Sequence, residues 1–352
     1  MVKLKDIAEY VGVSISTVSR VIQSDPTRNV NSETKRKVWD AVKELGYTPN
    51  QNARNLVTNN QQKSRKRTMK IGWVADYKII EMYPYYASML NGVSDYLDHS
   101  EYTLVNINKE VLQHDPLLHK TIHESGIEGL ILFDKIDESI LEYALEYIPI
   151  VGLDFSYTNR KMNISLIDFD REAAGVMAVE HLIQQGHKKI GFLGGGIGEQ
   201  FENLQEESRY KGYQRAMNDA GLIIQPEWTG NTKWAMENSY EFMAELLKKC
   251  SDHLPTAMFC ASDMMAIPAM RAVFEHHLRI PEDIAFIGLD NIEMSKYSSP
   301  PLSTIDIPKY EMGQLAAKTV IERIEGITRL SVKILVPFEL VIRESSKMRK
   351  DY

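Results

Sequence analysis

The chain has 352 residues, of which 43% are hydrophobic and 25% charged, with a net charge of −7. That length exceeds one ordinary domain, and the composition excludes bulk disorder and fibrous or collagen-like classes. No apolar run reaches the roughly 18 residues of a membrane helix, and residues 1–6 carry lysines but no apolar segment of a secretory signal. Two cysteines, Cys250 and Cys260, make neither a disulfide framework nor a zinc framework. A cytoplasmic protein with no membrane partner, no metal and no cofactor is expected.

Charge is divided along the chain. Residues 1–67 hold thirteen Lys/Arg against six Asp/Glu, and the remainder twenty-eight against forty-two. A basic module ahead of a large acidic body is the pattern of a nucleic-acid-binding head on a regulatory or catalytic trunk. In the head, Leu4, Ile7, Ala8 and Val11 repeat at helical spacing until Gly12 breaks the run. Ser14 is a good N-cap for a second helix over 15–23, with Val18 and Ile22 facing inward. After a turn at 25–27 a third helix opens near Ser32. Val38, Ala41, Val42 and Leu45 form its apolar face, and Gly46 stops it. Three short helices, the first two separated by a glycine turn, predict an all-α helix-turn-helix head over 1–47.

The second helix is the one expected in the DNA major groove. Its outward face carries Ile15, Ser16, Thr17, Ser19 and Arg20. Arginine can donate twice to guanine, while short hydroxyls suit phosphates or base edges. The segment 48–58 then predicts a short polar helix, opened by Pro49, with Ala53 and Leu56 on one face. It is too short to be helical alone, and a small alanine with a wedge-like leucine suits docking into a minor groove. Residues 59–69 read as a polar, basic linker.

The runs Leu4-Lys5-Asp6-Ile7-Ala8, Val11-Gly12-Val13-Ser14, Thr17-Val18-Ser19-Arg20-Val21 and Gly46-Tyr47-Thr48-Pro49-Asn50 resemble the lactose/galactose repressor family of bacterial transcription regulators. The resemblance implies that Ile15, Ser16 and Arg20 read bases and that Leu56 is a hinge-helix wedge. It also implies that Leu4, Ser14, Thr17, Ser19, Tyr47 and Asn50 contact or position operator DNA. The turn at 25–30 looks most like that of galactose-operon and evolved-β-galactosidase repressors. Ile15 stands where several relatives have a polar residue, so their operator sequences do not transfer.

From Met69 onward, strands alternate with helices. Strands are expected over 70–75, 103–108, 129–133, 148–154, 165–169, 189–194, 256–261 and 284–289. Helices are expected over 87–99, 173–185, 206–220, 239–249 and 265–277. The alternation predicts parallel sheets covered by helices in two similar lobes, with a ligand beyond the strand carboxyl ends, between the lobes. Asp290 and Ser262-Asp263 follow strands there, Arg209 sits near a helix start, and Trp234 lies in a loop. Tyr83, Tyr85 and Tyr86 follow the first strand. Carboxylates and arginine suit sugar hydroxyls, and an aromatic face suits the C–H side of a pyranose.

The resemblance extends over this trunk through Gly186-His187, Arg209-Tyr210-Lys211-Gly212-Tyr213, Ala261-Ser262-Asp263 and residues 300–305. It implies an α/β periplasmic-binding-protein-like effector domain over 70–345 and a tail at 346–352. Its first lobe takes about 70–166 and 298–328, and its second about 167–297 and 329–345. Arg209, Asp290, Trp234 and Ser262 are the implied effector-binding residues, joined by Tyr83, Tyr85 and Asp263 from their strand-end positions. Pro268 predicts an irregular helix after Asp263. No leucine heptads follow Arg343, so a homodimer is expected. The implied function is repression of sugar-use genes, with release from the operator by a small sugar, galactose or a galactoside first among them. Corepression by a non-sugar metabolite, as in purine-responsive relatives, is the opposite sign on the same architecture.

Other motifs fail. Gly194-Gly195-Gly196-Ile197-Gly198 has Glu199 where a dinucleotide fingerprint needs its third glycine, and reads as a flexible turn near the cleft. His276-His277 lack a third metal ligand, and no nucleophile elbow or zinc-protease helix is present, so no catalytic residue is expected. Glu81, Asp134 and Asp154 read as ordinary strand-end acids. A sugar-metabolising enzyme with a fused DNA-binding head and an exported carbohydrate-binding protein are the competing readings, and the basic head disfavours the second.

Overall fold

The computed structural model describes residues 3–23, 30–45, 67–75, 83–107, 122, 125–133, 136–154, 162–198, 200–249 and 253–347. The expected hinge helix, with Ala53 and Leu56, and also Tyr47, Asn50, Glu81 and Asp134 lie outside the described residues. The chain divides into two units, one up to Thr68 and one from Met69.

The first unit contains α1 (Leu4–Val11), α2 (Ile15–Gln23) and α3 (Ser32–Glu44). Ile7, Val18 and Val38 are fully buried at its centre, surrounded by Ala8, Val21, Ile22 and Ala41. Gly12 ends α1 at φ +73°, a left-handed geometry that a Cβ would strain. The Ser14 hydroxyl caps α2 by accepting the Thr17 N–H at 3.1 Å. Asn31, ahead of Ser32, caps α3 through the Thr34 N–H at 2.7 Å.

The second unit is built from two six-stranded sheets. Its elements are β1 (Lys70–Val74), α4 (Pro84–Asp98), β2 (Thr103–Ile107), β3 (Ile127–Leu132), α5 (Glu138–Leu145), β4 (Ile150–Leu153) and β5 (Ser165–Phe169). Then come α6 (Arg171–Gln184), β6 (Ile190–Gly194), α7 (Ser208–Asp219), β7 (Thr229–Asn231), α8 (Met236–Lys249), β8 (Ala257–Cys260), α9 (Asp263–Glu275) and β9 (Ala285–Asp290). The last are β10 (Ser303–Asp306), α10 (Lys309–Ile324), β11 (Lys333–Val336) and β12 (Glu339–Val341). The sheets run β11-β5-β4-β3-β1-β2 and β12-β10-β9-β8-β6-β7. All these pairs are parallel except β10–β12. Parallel strands buried on both faces explain the continuous apolar runs, such as the fully buried Ala257–Cys260.

The lobe boundaries differ from those expected. β10 pairs with β9, from Ser303↔Ile287 to Asp306↔Asp290, so it belongs to the second sheet and not to a first-lobe segment at 298–328. β11 pairs with β5 in the first sheet, so 333–336 leaves the second lobe, and β5 itself lies wholly in the first. Long-range pairing decides membership, and a four-residue strand carries no local sign of its partner. The chain therefore crosses between lobes near Asp170, Pro308 and Pro337.

Helix α10 has no counterpart among the expected elements. Its buried face is Met312, Gly313, Ala316, Ala317 and Val320, too small to register as an apolar stripe. The small residues serve close packing, because a Cβ on Gly313 would strike the Met89 carbonyl of α4, and one on Gly92 the Tyr310 carbonyl. Helix α9 stays helical from Asp263 to Glu275 with Pro268 inside it, so the expected irregularity does not end the helix.

Candidate functional site

In the head, the start of α2 presents Ser14, Ile15 and Ser16 to solvent, with Ile15 48% exposed although apolar. The hydroxyls of Ser16 and Thr17 each lie 2.8 Å from that of Ser14. Ser19 and Arg20 are partly exposed one turn on. Leu4, by contrast, packs against the head's core. The exposed start of α2 thus carries short hydroxyls and an isoleucine, with a partly exposed arginine one turn on.

In the trunk, the strand carboxyl ends bring together Asp154, Asp168, Arg171, Arg209, Trp234, Ser262, Asp290 and Lys309. Asp154, Trp234 and Asp290 have φ of +65°, +61° and +113°, left-handed geometries that non-glycine side chains rarely adopt and that cluster at functional sites. Ser262 caps α9 through the Met264 N–H and donates its hydroxyl proton to Asp290 Oδ2 at 2.7 Å. Lys309, at the start of α10, donates to the Asp290 carbonyl. Burial pushes the Asp290 carboxyl up to about 7, against the pull of Ser262, Arg209 and Lys309.

Arg209 stands in the first turn of α7. Its Nε donates to Glu207 Oε1 at 2.8 Å and its Nη1 to the Ala261 carbonyl at 3.3 Å. Its guanidinium carbon lies 4.4 Å from the centre of the Trp234 ring. One face of the tryptophan, expected to hold a pyranose, is therefore covered by arginine. Trp234 Nε1 donates to the Gly196 carbonyl at 3.1 Å. Its own carbonyl accepts the Tyr83 hydroxyl at 3.0 Å, which joins the two lobes directly. The glycine run is no loose turn: Ile197 and Asn203 pair antiparallel, and the Asn231 side chain holds Gly196 and Phe201.

Two residues have different roles from those expected. Asp263 is fully buried, with its carboxylate oxygens taken by Thr304 Oγ1 (2.6 Å) and the Ile292 N–H (3.0 Å). It ties α9 to β9 and β10 and offers nothing to the cleft. Tyr85 is buried and donates to Asp154 Oδ1 at 2.6 Å. Asp154, dismissed as an ordinary strand-end acid, is central: Arg171 Nη2 holds its Oδ1 at 2.8 Å while Nη1 holds Asp168 at 2.6 Å. Burial raises the Asp154 carboxyl, and the nearby Arg171 opposes this. Asp154, Arg171, Glu207 and Lys309 escaped the sequence reading. The usable sign was position: Asp154 and Arg171 stand one and two residues past a strand, Glu207 just before a helix, and Lys309 at a helix start.

These features define a class: a helix-turn-helix head, and an α/β trunk of two parallel-sheet lobes with a charged cleft between them. Residues 3–50 match the model for bacterial regulatory proteins of the lacI family, and residues 179–346 the periplasmic binding protein-like domain. The chain is 35% identical to the HTH-type transcriptional repressor PurR of Pasteurella multocida (strain Pm70), over 99% of this chain and 100% of that one. Its fold is similar to that of the transcriptional regulator CelR in complex with cellobiose, at TM-score 0.71 and 26% identity, covering 98% of this chain and 100% of the other. It is also similar to the lac repressor dimer bound to operator and the anti-inducer ONPF, at TM-score 0.67 and 27% identity over 98% and 99% of the two chains. The chain belongs to the lacI family and is a DNA-binding transcriptional repressor, in a family of regulators rather than enzymes. Among the described residues no helix is long and apolar enough to cross a membrane.

Proposed function

We propose that this repressor acts in the cytoplasm as a homodimer and controls sugar-use genes, releasing its operator when a small sugar occupies the cleft between the lobes. Two heads bind half-sites related by the dimer axis. Ile15, Ser16 and Arg20 read bases, Ser14, Thr17, Ser19, Tyr47 and Asn50 fix the backbone, and Ala53 and Leu56 of the segment 48–58 enter the minor groove. Arg209, Asp290, Trp234 and Ser262 hold the effector, and Tyr83 supports closure of the lobes. Closure alters the spacing of the two 48–58 segments, which are too short to stay helical without docking. The coupling free energy is about 1–3 kcal/mol and reciprocal.

The observation that carries the sugar reading is Asp290. One carboxylate oxygen is fixed by Ser262, and the other has no partner among the described residues. Beside an arginine, that oxygen suits a hydroxyl pair. The likeness to a cellobiose-bound regulator supports it. A mobility-shift assay with the chain's upstream operator and galactose, lactose, cellobiose, glucose and their phosphates tests it. One sugar should release the DNA, and no response to any of them overturns the sugar reading. A second reading, corepression by a non-sugar metabolite, draws on the 35% identity to PurR-named repressors. Tighter operator binding with a purine base added would establish it.

A further inference from the structure

We infer that the cleft is built for an uncharged effector and that Glu207 is the positioning residue that excludes anions from it. This rests on the reading that the effector sits between the lobes, but not on its being a sugar. Glu207 is only 2% exposed and has two tasks at once. Oε2 accepts the Tyr210 N–H at 3.0 Å, capping α7, while Oε1 takes Arg209 Nε at 2.8 Å. The guanidinium is thereby turned onto the Trp234 ring with Nη1 on the Ala261 carbonyl, and only Nη2 lacks a partner among the described residues.

That arrangement occupies the Nε edge, one of the two edges by which arginine grips phosphate or carboxylate in a paired contact, and draws Nη1 of the other towards the Ala261 carbonyl. The other cations are engaged as well. Arg171 bridges Asp154 and Asp168, and Lys309 donates to two carbonyls with Asp306 at 3.6 Å. Arg171, Arg209 and Lys309 thus each already face a carboxylate, and Asp290 adds a further acid. A phosphate brought here meets no uncompensated positive charge and loses its water. A neutral hydroxyl can accept from Arg209 Nη2 and donate to the open oxygen of Asp290.

The test uses the full chain and titration calorimetry with galactose, galactose 6-phosphate and inorganic phosphate. Glu207→Gln keeps an oxygen for the Tyr210 N–H but cannot accept from Arg209. The wild type should show no millimolar binding of inorganic phosphate and prefer the free sugar at least tenfold over its phosphate. E207Q should gain at least tenfold for phosphate and for the ester, and weaken for the neutral sugar by about tenfold, the scale of one charge-assisted hydrogen bond. Glu207→Asp, which keeps the charge, should retain wild-type selectivity, and adding Arg209→Met to E207Q should abolish the phosphate gain. A merely structural role would weaken all ligands together. Tighter binding of phosphate or the ester than of the sugar by wild type, or unchanged phosphate affinity in E207Q, overturns the inference. If no sugar binds to either protein, the sugar reading falls while the phosphate comparison still decides the charge preference. If E207Q does not fold, the wild-type comparison decides it.

Discussion

Replacing Asp290 by asparagine should separate the stability of the trunk from its response to effector. An unfolded aspartate titrates near 3.8, whereas burial holds Asp290 at about 7. Between those values the folded state keeps a proton that the unfolded state releases, so stability falls as pH rises and levels off above about 7. From pH 5 to pH 8 the group therefore costs the unliganded wild type roughly two pH units of this linkage, or about 3 kcal/mol at about 1.4 kcal/mol per unit. Asparagine keeps the shape, can still accept from Ser262, and has no proton to lose. Asp154 and Asp263 are raised by burial too and tilt both proteins alike, so the informative quantity is the difference between them. Thermal melting at pH 5 and pH 8 should show the variant gaining several degrees on the wild type at the higher pH, at about 2–4 °C for each kcal/mol. Operator binding should persist while effector release is lost. An identical difference in Tm at both pH values would refute the assignment of a buried, proton-retaining carboxyl at this position.

Effector binding should carry the same signature, because the ionised carboxylate accepts hydroxyl hydrogen bonds more strongly than the neutral acid. Affinity should drop towards tenfold per pH unit below about 7 and be flat above it, and calorimetry showing no pH dependence would count against Asp290 as the acceptor. Arg20→Ala should weaken operator binding by about 1–3 kcal/mol and relax preference at one base pair, seen as a changed footprint and shift titration. Arg171→Met leaves Asp154 and Asp168 without their shared cation and should destabilise the trunk by about 3–5 kcal/mol in urea titrations at pH 8. Gly92→Ala drives a methyl into the Tyr310 carbonyl and should cost about 1–3 kcal/mol, with the first lobe protected less from hydrogen exchange.

The head was legible nearly residue by residue, since its helices are marked by local signals: Gly12 as a left-handed stop, Ser14 as a cap, and apolar spacing ending in the buried Ile7, Val18 and Val38. The inner strands were legible too, as short apolar runs. What escaped depends on distance through space. Asp154 and Arg171 are 17 positions apart and meet only once β4 and β5 pair. Helix α10 hides its contact face in glycine and alanine. Trp234 was found by its place in a loop, but its covered face was not, because that depends on where Glu207 sends a guanidinium.

The three passages between lobes mean that neither half of the trunk is a continuous stretch of chain. The first sheet must wait for β11, and the second closes only with β12, the last strand described. Synthesis from the ribosome thus releases no finished half ahead of the other, and proteolytic removal of residues beyond 308 takes a strand from each sheet in one cut. Splitting this regulator into separately expressed, exchangeable halves would require rerouting the polypeptide, for example by joining residues 169 and 309 directly.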